Sequence, residues 1–169
     1  MSARRRPVAR AQRGAASSAW WLLAVAAVAG LAAFGWSRFG SPVIARIDPD
    51  DARLVALGKE VYGAHCASCH GVKLEGQADW RSRLPSGRMP APPHDASGHT
   101  WHHPGEVLIG IVKEGVQKYA PAGYQSDMPA YGAVLSDEEI GAVLSYIKST
   151  WPADVRRRHD ELERLARGG

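Results

Sequence analysis

The residues best placed to do chemistry lie in one run, Cys66-Ala67-Ser68-Cys69-His70, which holds the only two cysteines of the chain. A C-x-x-C-H run reads as a c-type haem attachment site. Each thiol can add to one haem vinyl group to form a thioether, and the adjoining imidazole is then held against the iron as its proximal ligand. Three other uses of the same residues compete. A thioredoxin-like dithiol needs a βαβ setting, whereas the flanking residues are patterned for helix. A two-Cys two-His zinc site could recruit His99 and His103. However, 29 residues separate Cys69 from His99, against about 12–15 in the zinc pattern, and His70 would be left without a role. A structural disulfide would not need the histidine. The pattern therefore points to covalent haem on Cys66 and Cys69, with His70 on the iron.

The elements that must position this run are readable around it. Asp48 is expected as an N-cap with Pro49 at the first helical position and Asp50 and Asp51 in the first turn. Leu54, Leu57, Val61 and Tyr62 recur at helical spacing, so a helix is predicted from about 49 into the haem motif. Gly58 inside it costs about 1 kcal/mol against alanine, which implies a close packing contact. Residues 71–103 are rich in proline and poor in periodicity, as expected of loops wrapped around a group that supplies part of the core. Pro104 to Glu114 reads as a short helix with Val107, Leu108, Ile111 and Val112 on one side and Gly115 as its stop. A second loop runs from Val116 to Leu135. Ser136 and Glu139 then form a capping box. Ile140, Val143, Leu144 and Ile147 make the buried stripe of a helix that ends before Trp151-Pro152. The tail, 153–169, carries mixed charge and few apolar residues, and is expected to be solvated and partly helical.

Composition bears mainly on the ends of the chain. The formal charge of +4 over 169 residues is unevenly spread. Residues 1–18 hold five arginines and no acid, while residues 48–152 hold nine Lys/Arg against thirteen Asp/Glu. The basic balance is thus no argument for nucleic acid. Residues 19–36, AWWLLAVAAVAGLAAFGW, carry no charge. As a helix they would rise about 27 Å, close to the roughly 30 Å of a hydrocarbon core, with Trp20, Trp21 and Trp36 at headgroup depth. The reading is a basic cytoplasmic N-terminus (1–18), a transmembrane anchor (19–36), a linker (37–47), a haem domain (48–152) and a charged tail (153–169). The arginines place everything after the anchor outside the cytoplasmic membrane, on the periplasmic side. A cleaved signal peptide is the rival reading. Its apolar region usually runs about 7–15 residues, and Ala27-Val28-Ala29, which resembles a cleavage site, falls in mid-run.

A first helix with Gly58 and Tyr62, then Cys66, Cys69 and His70, and at the other end Met128-Pro129-Ala130-Tyr131 before SDEEIGAVLSYIKSTWP: residues 49–152 resemble a class I, single-haem cytochrome c. The resemblance implies an all-α cytochrome c fold of three to four helices around one covalent haem c, here preceded by one transmembrane helix. It also implies crossed first and last helices, with Gly58 packing against Val143 and Tyr146. The family's proline whose carbonyl accepts from the proximal histidine Nδ1 falls at Pro92 or Pro93. The loop RMPAPPHDASGHTWHH departs from the mitochondrial-type pattern. The distal iron ligand is expected to be Met128, 58 residues beyond His70 and on the loop entering the terminal helix, giving a six-coordinate iron of raised potential. Met89, also followed by proline, is the competitor.

His94, Asp95, His99, His102 and His103 cluster around Trp101. Such ligands suit copper or zinc, or could serve haem propionates, as could Trp101. A polar loop facing water is the plainer account. His65 and His159 are expected to face solvent. The leading function is a membrane-tethered electron carrier and not an enzyme, since six-coordination leaves no open position. Its partners would be redox proteins such as a quinol-oxidising complex, a terminal oxidase or a copper-containing reductase, docking weakly on an acidic surface. The alternatives are a haem-based sensor, a copper-handling accessory using loop 94–103, or a docked subunit of an oxidase or reductase complex.

Overall fold

The computed structural model describes residues 45–168, together with Trp21, Val25 and Val28. The chain divides into two units, Met1–Pro42 and Val43–Gly169. Trp21, Val25 and Val28 of the first are helical and exposed. The rest of the 19–36 stretch lies outside the described residues, among which no helix is long and apolar enough to cross a membrane.

The second unit is helical. Helix α1 spans Ala52–His65, α2 Ala67–His70, α3 Gly105–Glu114, α4 Asp137–Ser149 and α5 Ala153–Gly168. Short 3-10 turns at Thr100–His102 and Val116–Lys118 lie before and after α3. Helix α1 starts later than the expected Pro49. Its N-cap is Asp51, whose carboxylate accepts from the N–H groups of Arg53 and Leu54 at 3.0 and 3.2 Å. Asp48 is drawn off elsewhere: its N–H donates to Ser145 Oγ on α4 at 2.8 Å, which leaves 48–51 as a turn. Three acids could each cap this helix, and the tie to α4 selects the third.

Helices α1 and α4 make the most extensive contact in the unit, through the glycine that the sequence singled out. A side-chain carbon at Gly58 would lie 2.5 Å from the carbonyl carbon of Ala142 and 2.9 Å from Cβ of Tyr146. The neighbour is therefore Ala142 with Tyr146, rather than Val143, which lies in the core with Val61, Tyr62, Leu144, Ile147 and Trp151. The capping box on α4 is formed: Ser136 Oγ accepts from Glu139 N–H, and the Glu139 carboxylate accepts from Ser136 N–H at 2.8 Å. On α3 the face turned to the core carries Leu108, Ile109 and Val112. Val107 and Ile111 are only half-buried and lie off that cluster, a rotation from the expected stripe.

The C-terminal segment corrects two expectations. It is a full helix rather than a solvated tail, and His159, expected in solvent, is 1% exposed. Val155 is buried beside it. Lys148 donates to Asp160 at 2.6 Å, and Arg156 to Asp50 at 2.7 Å. Pro104, the N-cap of α3, has no capping side chain. The Glu163 carboxylate fills that role by accepting from Gly105 N–H, placing negative charge at the positive helix end. His159 Nε2 lies 3.1 Å from the His103 carbonyl, which can only accept, so Nε2 carries the hydrogen. Nδ1 is then a buried lone pair with no hydrogen-bond partner. The tail is seated by Val155 and His159, four residues apart and so on one face, while Leu165 stays exposed.

Two outcomes follow from this packing. Gly58→Val should lower stability by about 3 kcal/mol, because overpacking forces two backbones apart; a denaturant titration that matches wild type would show that the helices part freely. Burial, and Lys148 next, hold His159 below the ordinary histidine value, against Glu163, Asp160 and the His103 carbonyl, which raise it. A depressed histidine contributes stability that is complete above about pH 6.5 and lost as pH falls toward the folded value. Thermal denaturation from pH 7 to 5 should therefore slope less steeply for His159→Phe, by at most about 1.4 kcal/mol per pH unit. Equal slopes would contradict this.

Candidate haem site

Helix α1 delivers Cys66 as its C-cap, at φ −116° and ψ −39°, and one further turn carries Cys69 and His70. Cys66 and Cys69 are three apart on that turn and so share a face. No disulfide joins Cys66, which is half-buried, to Cys69, which is exposed. Burial, with Cys69 adding to it, pushes the Cys66 thiol up to about 11, so it is held as a neutral thiol at neutral pH. That is opposite to the depressed thiol of a reactive dithiol site. Tyr62 and Tyr131 tie the turn down. Tyr62 Oη donates to the Gly71 carbonyl at 2.8 Å, and Tyr131 Oη to the His65 carbonyl, also at 2.8 Å. His65, expected in solvent, is half-buried with its ring edge-on to Tyr131.

His70 is buried. Its Nδ1 lies 2.8 Å from the Pro92 carbonyl, which decides between the two prolines. A carbonyl accepts only, so Nδ1 carries the hydrogen and Nε2 is the nitrogen with a free lone pair. Burial lowers the His70 pKa, partly offset by this hydrogen bond, and keeps the imidazole neutral as a metal ligand must be. The loop reaches His70 because Gly76 lets it. Gly76 has φ +69°, donates to the His70 carbonyl at 2.8 Å, and passes so close that a Cβ there would lie 2.5 Å from Pro93 N. Two thiols on one turn, followed by an imidazole presenting Nε2, are the donor set that covalent haem requires.

Met128 is half-buried on the loop before α4, its N–H donating to Ser126 Oγ at 3.1 Å. Three residues on, Tyr131 is the residue bound to His65, so the Met128 loop returns to the start of the haem motif. Met89 belongs to the other loop, three residues before Pro92. The two loops are joined. Met89 N–H donates to the Gln125 carbonyl at 2.9 Å, Met89 pairs with Ser126 as an isolated bridge, and Arg88 meets Asp127 at 2.5 Å. Neither the pairing of these loops nor the two tyrosine tethers has a signature in the sequence.

The histidine loop is dispersed rather than convergent. His94 stacks on His70, with ring centroids 4.0 Å apart. His99 stacks on Trp80 at 5.3 Å and meets His103 edge-on. His102 lies against Trp101, whose indole N–H donates to the Ala96 carbonyl. Asp95 accepts from Ser97. Among the described residues no three His, Cys, Asp or Glu side chains are grouped as a metal ion would need. A cleft of about 760 Å³ lies elsewhere, among residues 45–50, Lys148 and helices α3 and α5.

Comparison with known proteins agrees with this geometry. The chain is 29% identical over 103 residues to "Cytochrome c-555" of Prosthecochloris aestuarii, covering 55% of this chain and 84% of that protein. No solved structure matches it. Residues 55–151 match the family described as "Cytochrome c", from the first helix through the haem motif to Trp151, so this chain belongs to the cytochrome c family and carries covalently bound haem c.

Proposed function

We propose that this protein is a single-haem electron carrier, not an enzyme, tethered by residues 19–36 to the cytoplasmic membrane with its haem domain on the outer side. Haem c supplies a one-electron couple between ferric and ferrous iron. Cys66 and Cys69 would hold the group by thioether bonds, and His70 Nε2 and the Met128 thioether would be the ligands offered to its iron. The observation that carries this reading is the His70 Nδ1 hydrogen bond to Pro92. It commits the imidazole to one tautomer and one direction and leaves Nε2 with its lone pair for the iron. With His70 and Met128 both given to the iron, no position would be left for a substrate, and a thioether ligand would raise the potential. The net acidity of residues 48–152 suits basic patches on redox partners, with quinol-oxidising complexes, terminal oxidases and copper-containing reductases as the classes to test. Such docking would weaken with salt.

Acid acetone should leave haem on the wild-type chain and extract it from a Cys66→Ser, Cys69→Ser double variant; extraction from the wild type would end this reading. Met128→Ala should abolish the sulfur-to-iron charge-transfer band of the oxidised protein and lower its potential, and Met89→Ala should leave both unchanged. The reverse pattern would make Met89 the ligand.

The tether rests on the length of the apolar run and its tryptophan ends. The isolated protein should begin near Met1 and stay with membranes through an alkaline carbonate wash. A mature N-terminus just after Ala29 would instead make it a soluble carrier.

A further inference from the structure

His94 belongs to the loop whose histidines the sequence could not assign, and it occupies the most constrained position in it. Its ring lies nearly parallel to His70, at 22° and 4.0 Å between centroids. Each of its backbone polar groups is bound. The N–H donates to the Leu74 carbonyl at 2.8 Å, and the carbonyl accepts from the Trp151 indole at 2.8 Å. The ring Nδ1 is 2.8 Å from the hydroxyl of the buried Thr100. Tyr62 stands edge-on to the same ring at 6.3 Å. A hydrocarbon would fill this space without a hydroxyl to hold it, so the polar tether implies a ring kept at a set angle.

We propose that His94 is a positioning residue for the proximal ligand, its imidazole fixing the plane of His70 and tuning the iron through it. The inference rests on His70 being that ligand. The Nδ1 hydrogen bond to Pro92 opposes rotation of the His70 ring about its Cβ–Cγ bond, and a flat neighbour at stacking distance adds a second restraint on the same twist. The orientation of a ligand imidazole and the polarity packed against it are among the means by which a protein sets a haem potential. A polar, polarisable ring beside His70 favours the more positive oxidised iron. Its replacement by hydrocarbon removes that preference and raises the potential.

The test uses the haem-loaded protein and His94→Leu, His94→Phe and Thr100→Val. Reduction potentials are measured, together with the NMR pattern of the haem methyl groups, which follows the plane of the axial imidazole. His94→Leu should raise the potential and change the pattern while the sulfur-to-iron band persists. His94→Phe should restore the pattern, because a flat ring returns, but not the potential. Thr100→Val should shift the potential in the same direction by less. A wild-type potential and methyl pattern in His94→Leu would reduce His94 to a filler and overturn the proposal. If His94→Leu does not accumulate with haem, Thr100→Val decides: a rise supports the proposal, and no change refutes it. Wild-type protein without covalent haem would overturn the haem assignment and this inference together, whereas haem with an insensitive potential overturns this inference alone.

Discussion

Two helix backbones can touch only where no side chain stands between them, and in this chain that place is Gly58 against Ala142. Everything about the haem motif inherits from this crossing. Helix α1 ends at His65, so its direction sets where Cys66 starts, and its direction is set by its seat on α4. The helical penalty of glycine, about 1 kcal/mol, is small beside the burial that the close approach permits. A fully buried aliphatic side chain contributes about 1.5–3 kcal/mol, and Val61, Val143, Leu144 and Ile147 are all buried near the crossing.

From that seat a succession of backbone contacts leads to His70. Tyr62 on α1 holds Gly71, Gly76 holds the His70 carbonyl, and Pro92 receives the His70 hydrogen. The loops between have little secondary structure and are held by individual hydrogen bonds, such as Gln77 N–H to the Ala91 carbonyl and Ala91 N–H to Gln77 Oε1. The histidine loop takes part in this order as a set of ring contacts. His94 faces His70, and His99 faces Trp80 while meeting His103 edge-on, so among the described residues no three of the side chains that in sequence suggest a second metal are grouped to hold one.

Helix α5 lies beyond the residues that match the family and is nonetheless part of the packed unit. Glu163 caps α3, His159 closes over the His103 carbonyl, and Lys148, its side chain 9% exposed, reaches Asp160. Exposed pairs such as Arg53 with Glu138 add little, because water screens them. The contribution of α5 therefore lies in Val155 and His159 under the helix and in the cap on α3.

Local chemistry made much of this legible beforehand. The haem motif declares itself because covalent attachment needs two thiols and an imidazole at fixed spacing. The capping box declares the start of α4 because its two side chains satisfy each other's backbone within four residues. Gly58 announced a close contact because a glycine in a helix needs a reason. None of these depends on distant parts of the chain. What tertiary structure decided is what depends on pairs far apart in sequence. Asp51 rather than Asp48 caps α1: the Asp48 backbone is tied to Ser145, and its carboxylate accepts from Asp50 N–H and Arg46. Pro92 rather than Pro93 meets His70 because Gly76 sets the approach. The last helix is seated through Val155 and His159 on one face, with the rest of it largely exposed, and His159 is buried against the His103 carbonyl, 56 residues away. Each of these residues had several equivalent candidates nearby, and only the long-range partner, fixed by packing, could choose among them.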